Sequence, residues 1–360
     1  MAFSNGYTYR RSLTIDNTKV SGSSDLTSFP MLVKGTYAYL ATVANGGDVT
    51  DADGFDIIFE TSTGTTLDHE IESYTASDGS VVFWVRIPTL IYNSDTVIYM
   101  YYGNSSVTTS QESVADTWVQ FKGVWHLNEA LGSGTFKDRT VNANNMSSNG
   151  SQLTAGLAGK INKAVQRNNT TTEVSRLFTD ANVTLPNGPL WVSFWLRPDL
   201  ANRYNGNAQA CWQADNGRFR FYTTGSLTLT TRVYETSSNL DSGALKALTQ
   251  STWHHISGRI SDVTSDWYQG YVDGVSEYTG DSVDKYIGTT TKIAMLQSSS
   301  IGQGYAGTVS HLKIAITDLG EGWIVTEHNN HDSPSTFYEV GSEETDGGGT
   351  TPTSDFFHLF

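Results

Sequence analysis

The sequence predicts an all-β protein made of two antiparallel β-sandwiches in tandem, followed by a flexible C-terminal tail. Short segments in which apolar and polar residues alternate recur along most of the chain, a pattern typical of strands with one buried face. Charged residues make up only 16% of the chain, while Gly, Thr and Tyr are frequent, and such a composition suits pleated surfaces. A length of 360 residues predicts about two domains of ordinary size.

The first domain is predicted to cover residues 1–105. In its clearest strand, 81–87, every second residue belongs to one apolar face, while Trp84 and Arg86 lie on the other face. The Asp78-Gly79 pair before this strand is a hairpin turn signal. The alternation therefore predicts a sheet with one face in a core.

A linker and a second domain are predicted to follow. Residues 106–117 are polar and rich in Ser and Thr, as in linkers, and strands resume over 118–340. Alternate residues of the segment 190–197 form one apolar face. The segment 318–321 resembles a helix-capping signal and predicts a short helix over 322–328.

The last residues, 341–360, change in character. The stretch is acidic and rich in glycine, which predicts a flexible tether. It leads to a strongly apolar segment that would be a liability if left in water. We expect this segment to be a docking peptide that makes an assembly contact with a neighbouring subunit, the alternative being a frayed tail. The contact residues would be Phe356, Phe357, Leu359 and Phe360.

Charge and cysteine content narrow the classes of function. The net charge of −15 disfavours nucleic acids and anionic membranes, because both require Lys and Arg contacts. A single cysteine, Cys211, excludes an intramolecular disulfide, and its sequence context predicts a small buried residue. The first residues carry no secretion signal, and no apolar run approaches the ~18 residues of a membrane span. We expect neither nucleic-acid binding nor membrane insertion.

Six short blocks recur in order along the second domain: 123–129 (GVWHLNE), 138–145 (DRTVNANN), 158–164 (AGKINKA), 192–198 (VSFWLRP), 253–256 (WHHI) and 270–274 (GYVDG). In these blocks the domain resembles the laminin-G/concanavalin A-like superfamily, in its three-block bacterial form. The resemblance implies a jelly-roll, concanavalin A-like sandwich, with Trp253 as a core residue.

The first domain resembles a bacterial domain of unknown function that often precedes laminin-G-like domains. The matching blocks are 9–11 (YRR), 26–30 (LTSFP), 56–59 (DIIF), 70–74 (EIESY) and 101–104 (YYGN). That family has no assigned activity. What the resemblance implies is a context, namely exposed multidomain proteins and phage structural proteins.

No arrangement of residues predicts catalysis. A retaining glycosidase needs two carboxylates about 5–5.5 Å apart that face one cleft. Asp68, Glu70 and Glu72 share a strand face, but they belong to the domain without assigned activity. His254 and His255 are adjacent on a strand, so they point to opposite faces and cannot bind one metal ion together. The sequence therefore predicts a protein that is not an enzyme.

Calcium is the one cofactor left open. The resemblance to laminin-G-like domains implies a calcium site at the rim of the sandwich, where Asp138, Asn142 and Asn144 offer oxygen ligands. Against it, the late strand that often carries two acids in the family reads Gly-Thr-Val-Ser-His over 307–311. No cofactor is certain on this basis.

Glycan binding requires exposed aromatic rings beside polar planar groups. One stretch of the second domain offers both, and its candidate carbohydrate-binding residues are Trp212, Asp215, Arg220, Tyr222 and Tyr234. We expect them to share one sheet face.

These observations favour a non-enzymatic structural or adhesion protein exposed on a particle. The expected setting is a phage virion, as a tail, fibre or capsid-decoration component made in the host cytoplasm, with recognition of a host glycan. Its partners would be other virion or surface proteins, reached through the tail in an oligomeric assembly. One alternative is a bacterial surface or secreted carbohydrate-binding module, and a second is a glycoside hydrolase.

Overall fold

A computed structural model of the chain describes residues 3, 5–131, 135–168, 174–185, 188–199, 209–214, 219–224, 227–234, 239–261, 267–281, 289–296 and 304–347. The chain forms two compact units, one of Met1–Thr117 with Asn329–Phe360 and one of Trp118–His328. Almost all regular structure is antiparallel β-sheet, so the predicted all-β class is confirmed.

The strands are numbered along the chain: β1 (Tyr9–Ile15), β2 (Leu26–Thr36), β3 (Ile58–Thr61), β4 (His69–Thr75), β5 (Ser80–Leu90), β6 (Thr96–Tyr102), β7 (Gly123–Trp125), β8 (Met146–Asn149), β9 (Leu153–Ala158), β10 (Lys163–Arg167), β11 (Arg176–Thr179), β12 (Val183–Leu185), β13 (Leu190–Pro198), β14 (Gln209–Ala214), β15 (Phe219–Thr224), β16 (Thr228–Tyr234), β17 (Asn239–Ala247), β18 (His254–Ile260), β19 (Trp267–Val272), β20 (Val275–Asp281), β21 (Thr289–Thr291), β22 (Ile293–Met295), β23 (Gly307–Ala315) and β24 (Tyr338–Thr345). The helices are α1 (Val114–Thr117), α2 (Glu321–Asp332) and α3 (Pro334–Phe337), with 3-10 turns at Asn17–Lys19, Ala38–Leu40 and Val43–Asn45.

The first unit is a sandwich of a four-stranded sheet, in the order β24-β1-β6-β3, and a three-stranded sheet, in the order β2-β5-β4. The alternate residues Val81, Phe83, Val85 and Ile87 of β5 are buried, as the sequence pattern predicts. The rings of Phe59 and Phe83, one from each sheet, lie 5.9 Å apart between their centroids. Leu13 and Met31 are fully buried. The apolar alternation therefore builds one core.

The edge strand β2 is covered by a side chain rather than by another strand. The backbone N–H of Leu32 donates to Asn330 Oδ1 at 2.7 Å, and Asn330 Nδ2 donates to the Leu32 carbonyl at 3.1 Å. Asn330 thus takes both hydrogen bonds that a neighbouring strand would make at this position, which protects an edge that could otherwise pair with another chain.

The acidic stretch expected to begin a flexible tail at residue 341 is instead the strand β24, and residues 329–345 belong to the first unit. β24 pairs with β1, and two of its carboxylates face arginines across the ladder. Arg10 lies 2.6 Å from Glu344, and Arg11 lies 3.3 Å from Glu343. From the sequence alone these acidic residues resemble a solvated tail, because their arginine partners lie more than 300 positions away in the chain. Phe356, Phe357, Leu359 and Phe360 lie outside the described residues.

The second unit packs an eight-stranded sheet, with the path β20-β19-β18-β13-β23-β10-β9 and β7 beside β23, against the seven-stranded sheet β17-β16-β15-β14-β22-β11-β8. Its core lies between the sheets, where Phe194 and Phe221 are in contact with ring centroids 5.7 Å apart. Cys211 is part of this core, as predicted, and burial raises the pKa of its thiol well above the usual value.

The helix predicted over 322–328 is longer in the structure. It is α2, and residues 321–328 lie on the outer face of the eight-stranded sheet. Glu327 anchors it there, receiving hydrogen bonds from Lys313 Nζ at 2.7 Å and Ser193 Oγ at 2.6 Å and lying 2.9 Å from His255 Nε2. The three ionisable side chains are at most 2% exposed. No helix in the described part of the chain has the length and apolar character to cross a bilayer.

We predict that Lys313→Ala lowers the free energy of unfolding of the second unit by about 3–5 kcal/mol, because it leaves the buried Glu327 carboxylate without its cation. The matched control is Lys246→Ala, since the Lys246–Glu277 pair is 37% and 23% exposed and contributes at most about 1 kcal/mol. The measurement is urea unfolding followed by tryptophan fluorescence, which reports on this unit because eight of the nine tryptophans lie in it. Equal losses in both variants would contradict the assigned role of Lys313.

Candidate functional site

The predicted carbohydrate residues do not form an exposed aromatic platform. Trp212 lies in the core between the sheets and is fully buried, with its ring centroid 5.1 Å from that of Phe219. A bulge in β14 between Ala210 and Trp212 shifts the register, so that Trp212 pairs with Phe221. Because one extra residue reverses the alternation of side chains, the Trp212 side chain points inward. The prediction that Trp212 contacts a glycan is therefore corrected.

Arg220 and Tyr222 do share the outer face of the seven-stranded sheet. The Arg220 guanidinium lies 4.6 Å from the centroid of the Tyr222 ring, and Arg232 from the next strand lies 5.3 Å from it. Tyr222 is only 4% exposed, so its ring is engaged with the two cations. Asp215 lies outside the described residues, and of Tyr234 the structure describes the backbone pairing with Asn239.

The residues expected to bind calcium form a hydrogen-bonded turn. Asp138 Oδ1 accepts from the Val124 and Thr140 amides at 3.0 Å, and Oδ2 accepts from the Asn144 amide at 2.8 Å. Asn142 Oδ1 accepts from Lys122 Nζ at 3.1 Å. Burial raises the pKa of Asp138, and the amide hydrogen bonds oppose that shift. As a calcium ligand, Asp138 would have to give up bonds that shape the turn.

The three acids of the first unit are each engaged by the protein. Asp68 pairs with Arg86, and Glu72 Oε2 accepts from Trp84 Nε1 at 2.8 Å. Glu70 is fully buried. This arrangement holds strands together, and it does not present two carboxylates to a cleft.

An aromatic residue that the sequence assigned to the core, Trp253, is only half-buried in the structure. It directly precedes β18 of the eight-stranded sheet. In β13, Leu196 faces the core, and the next residue, Arg197, therefore points outward. Arg197 pairs with Thr308, which in turn pairs with Gln166 of β10. We call this surface the Arg197 face, and it consists of Gln166, Arg197, Asp199, Gln250, Trp253 and Thr308.

Asp199 organises the polar part of the Arg197 face. Its Oδ1 accepts from Arg197 Nε at 2.8 Å, and its Oδ2 accepts from Gln166 Nε2 at 2.8 Å and Thr308 Oγ1 at 2.6 Å. Arg197 Nη2 also donates to Thr308 Oγ1 at 3.2 Å. The Arg197 and Asp199 side chains remain 27% and 17% exposed. The network fixes these side chains before any ligand arrives, which lowers the entropy cost of binding.

The Trp253 ring is held against this network. The Arg197 guanidinium lies 5.3 Å from its centroid, within the range of a cation–π interaction. The preceding loop is tied down at two points: Ser251 donates from its amide to the Pro198 carbonyl at 2.7 Å, and Gln250 Nε2 donates to the Asp199 carbonyl at 3.1 Å. A half-buried indole beside fixed amide, guanidinium and carboxylate groups is therefore the main feature of the Arg197 face.

His254 fixes the other end of this loop. Its Nε2 accepts from the Thr249 amide at 3.1 Å, so Nδ1 carries the proton and donates to Asp273 Oδ2 at 2.8 Å. Asp273 also accepts from the His255 amide at 2.9 Å. Burial favours the neutral form of Asp273, but the His254 and His255 hydrogen bonds outweigh it and hold the pKa of this carboxyl below its usual value.

We predict a pH-dependent contribution of Asp273 to stability. Because its folded pKa lies below the unfolded one, the carboxylate stabilises the second unit above pH ~4, and this contribution is lost as the pH falls through the folded pKa. Asp273→Asn should lower the free energy of unfolding by about 1–2 kcal/mol at pH 7, with the difference shrinking towards pH 3. Asn tolerates the left-handed backbone here, where φ is 54°.

The check is urea unfolding of both proteins at pH 7, 4 and 3, with Asp180→Asn as the control on an exposed carboxylate. A difference that stays constant across this range would rule out the proposed linkage.

The comparisons with known proteins follow the domain order that the sequence suggests. Residues 53–128 match the family model described as a domain of unknown function (DUF2341). Residues 169–324 match the model of the concanavalin A-like lectin/glucanases superfamily. The Arg197 face includes residues from this second range. No curated protein matches the chain.

Several solved structures are similar in fold. The binding domain of Paraclostridial Mosquitocidal Protein 1 is 15% identical with a TM-score of 0.48, over 59% of this chain and 52% of that one. Domain 4 of AbnA, a GH43 extracellular arabinanase from Geobacillus stearothermophilus, is 16% identical with a TM-score of 0.44, over 58% of this chain and 98% of that one. The Trypanosoma rangeli sialidase is 8% identical with a TM-score of 0.43, over 67% and 41%.

The chain thus spans about half the length of the mosquitocidal binding domain that it matches. The two family matches lie in the order expected and agree with the two β-sandwich units. Residues 53–128 are thus similar to the domain of unknown function DUF2341, and residues 169–324 of the second β-sandwich unit are similar to the concanavalin A-like lectin/glucanases superfamily.

Proposed function

We propose that this protein is a non-enzymatic adhesion and display protein that recognises glycans through the Arg197 face. The setting we propose is the exposed surface of a particle, a phage virion, in which the chain is a tail, fibre or capsid-decoration component. The same binding activity would serve a bacterial surface or secreted module, so the site and the setting are tested separately.

The observation that carries the glycan proposal is the half-buried Trp253 beside a fixed polar network. Sugar rings stack their C–H faces on indole, and their hydroxyls bond to planar polar groups. Arg197 and Gln166 each donate to Asp199 at 2.8 Å, so their remaining donors and acceptors are held in place. Arg197 Nη1 has no hydrogen-bond partner among the described residues and is available to a ligand hydroxyl.

We propose a non-enzymatic role because of the number and the contacts of the carboxylates. Glycoside hydrolysis needs two of them facing one bond, and the Arg197 face contains one, Asp199, which accepts three side-chain hydrogen bonds. Asp68 and Glu72 in the first unit are bound to Arg86 and Trp84. These contacts favour a binding role over a hydrolytic one.

Attachment to the particle is proposed to use the end of the chain. β24 ends at Thr345, and the glycine-rich residues that follow would tether the apolar segment 356–360 to a neighbouring subunit or another virion protein. The net charge of −15 supports solubility of such a protein at high local density and opposes attraction to nucleic acid.

We predict that Trp253→Ala reduces glycan binding about two- to tenfold, because loss of a stacked aromatic ring costs on the order of 0.5–1.5 kcal/mol. The matched control is Phe178→Ala. Phe178 is also a half-buried aromatic with cations over its ring, Arg176 at 5.1 Å and Lys292 at 4.9 Å, but it belongs to the other sheet.

The measurement is a glycan array with the full chain, with and without calcium, followed by titration calorimetry on the best ligand. If no glycan binds, or if Phe178→Ala loses as much binding as Trp253→Ala, the Arg197 face is not the recognition site. A calcium requirement would return attention to the Asp138 turn.

We also predict that a variant ending at Gly347 stays folded but does not assemble. The described strands end at Thr345, so removal of residues 348–360 leaves every described hydrogen bond in place. Far-UV circular dichroism should be unchanged, while light scattering should show loss of the higher-mass species. Normal incorporation of the truncated chain into particles would refute the assembly role of the tail.

A further inference from the structure

A groove opens at the edge of the sandwich in the first unit and is not used by the proposed glycan site. It has a volume of about 560 Å³, within the ~300–1,000 Å³ typical of ligand pockets. Its apolar lining comes from the end of β5 and the beginning of β6. We call it the edge groove, and its apolar residues are Ile87, Pro88, Ile91, Val97 and Ile98.

The edge groove lies where β6 lacks a neighbouring strand. β6 pairs with β1 over all of Thr96–Tyr102, but β3 pairs only with the residues from Ile98 to Tyr101. β3 stops because a tight turn follows, in which the Gly64 amide donates to the Thr61 carbonyl at 3.0 Å. Thr96 and Val97 therefore have a strand on one side only within the described part of the chain. Such an edge is a template for an added strand.

The edge groove is therefore suited to an extended apolar peptide. Ile87 and Ile98 form its buried floor, at 1% and 2% exposure, while Val97 and Ile91 are half-exposed at its rim. An added strand beside β6 would find backbone partners at the edge and apolar contacts for every second side chain. These are the requirements of β-strand addition, in which main-chain bonds give affinity and side-chain pockets give specificity.

The chain itself contains a segment of this kind. Four of the five residues in 356–360 are Phe or Leu, and such a segment has a strong tendency to leave water. It follows β24, which belongs to the same four-stranded sheet as β6. The sequence between 347 and 352 contains three glycines and a proline, a composition typical of linkers.

The tether is long enough. The nine residues from 348 to 356 span at most about 32 Å when extended. In the sheet, Thr345 and Tyr102 both pair with Tyr9. The path from there to the open edge beside Val97 is about 17 Å along β6 and about 14 Å across three strand spacings, or roughly 22 Å in a straight line. The segment can therefore reach the edge groove of its own copy, and equally that of a copy alongside.

We infer that the edge groove binds the segment Phe356–Phe360 as a short strand added to β6 at Thr96 and Val97. This inference deepens the assembly role of the tail, on which it partly rests, by naming the surface that receives it. The phenylalanine side chains on one face of the added strand would cover Ile98 and Ile91, and those on the other would remain at the rim beside Tyr99.

The test is site-specific photocrosslinking in the full chain, with Phe357→p-benzoyl-phenylalanine and peptide mapping by mass spectrometry. We expect the crosslinked residues to fall within 87–91 and 96–99. Val97→Asp should lower the yield about tenfold, since it places a charge against an apolar ligand. Val43→Asp is the matched control, because Val43 is a valine of the same unit that is 61% exposed and is not among the residues lining the groove.

Mixing chains of two isotopic compositions shows which copy is reached. Crosslinks between copies support both the groove and the assembly role. Crosslinks within one copy support the groove but contradict assembly through the tail. Crosslinks to other residues, to another protein only, or a yield unaffected by Val97→Asp in a variant with an unchanged melting temperature would overturn the inference. Glycan binding is read independently, so its failure would not be mistaken for failure of the edge groove.

Discussion

The alternation of side chains along β13 is the constraint on which most of the second unit depends. This strand lies in the middle of the eight-stranded sheet, and its successive residues face opposite sides. Phe194 and Leu196 join the core. Ser193 contacts Glu327 of α2, and Arg197 on the same outward face pairs with Asp199 and stays 27% exposed. One strand thus supplies the core, the anchor of the helix and the centre of the Arg197 face.

Much of this architecture could be predicted from the sequence, because period-two patterns and family blocks are local signals. The apolar faces of 81–87 and 190–197 and the buried Cys211 are confirmed. The placement of Trp212 could not be predicted, because a β-bulge depends on the partner strand and reverses the face of every residue beyond it. β24 was missed for a similar reason, since its glutamates are explained only by arginines at the other end of the chain.

The candidate site was harder to predict than the fold. Trp253 belongs to a block that the family resemblance places in the core, and only its position one residue before β18 hints that it lies at the rim of the sheet. Asp199, Gln166 and Thr308 come from three separated stretches, and nothing in their spacing indicates that they share hydrogen bonds. Arg197 itself gave a signal for the site. It is a charged residue near the end of a mostly apolar strand, and a proline follows it directly.

The pairing of β24 with β1 has a consequence for how the protein is made. The first unit is discontinuous in sequence. When residues 1–117 have left the ribosome, the four-stranded sheet of this unit still lacks its outer strand, β24. At about 5–20 residues per second, more than ten seconds pass before residues 338–345 emerge. During that interval the exposed margin of β1 is open to incorrect partners, and the intervening second unit has time to fold first. The nascent chain is therefore exposed to incorrect strand pairing from the release of residue 117 until β24 emerges.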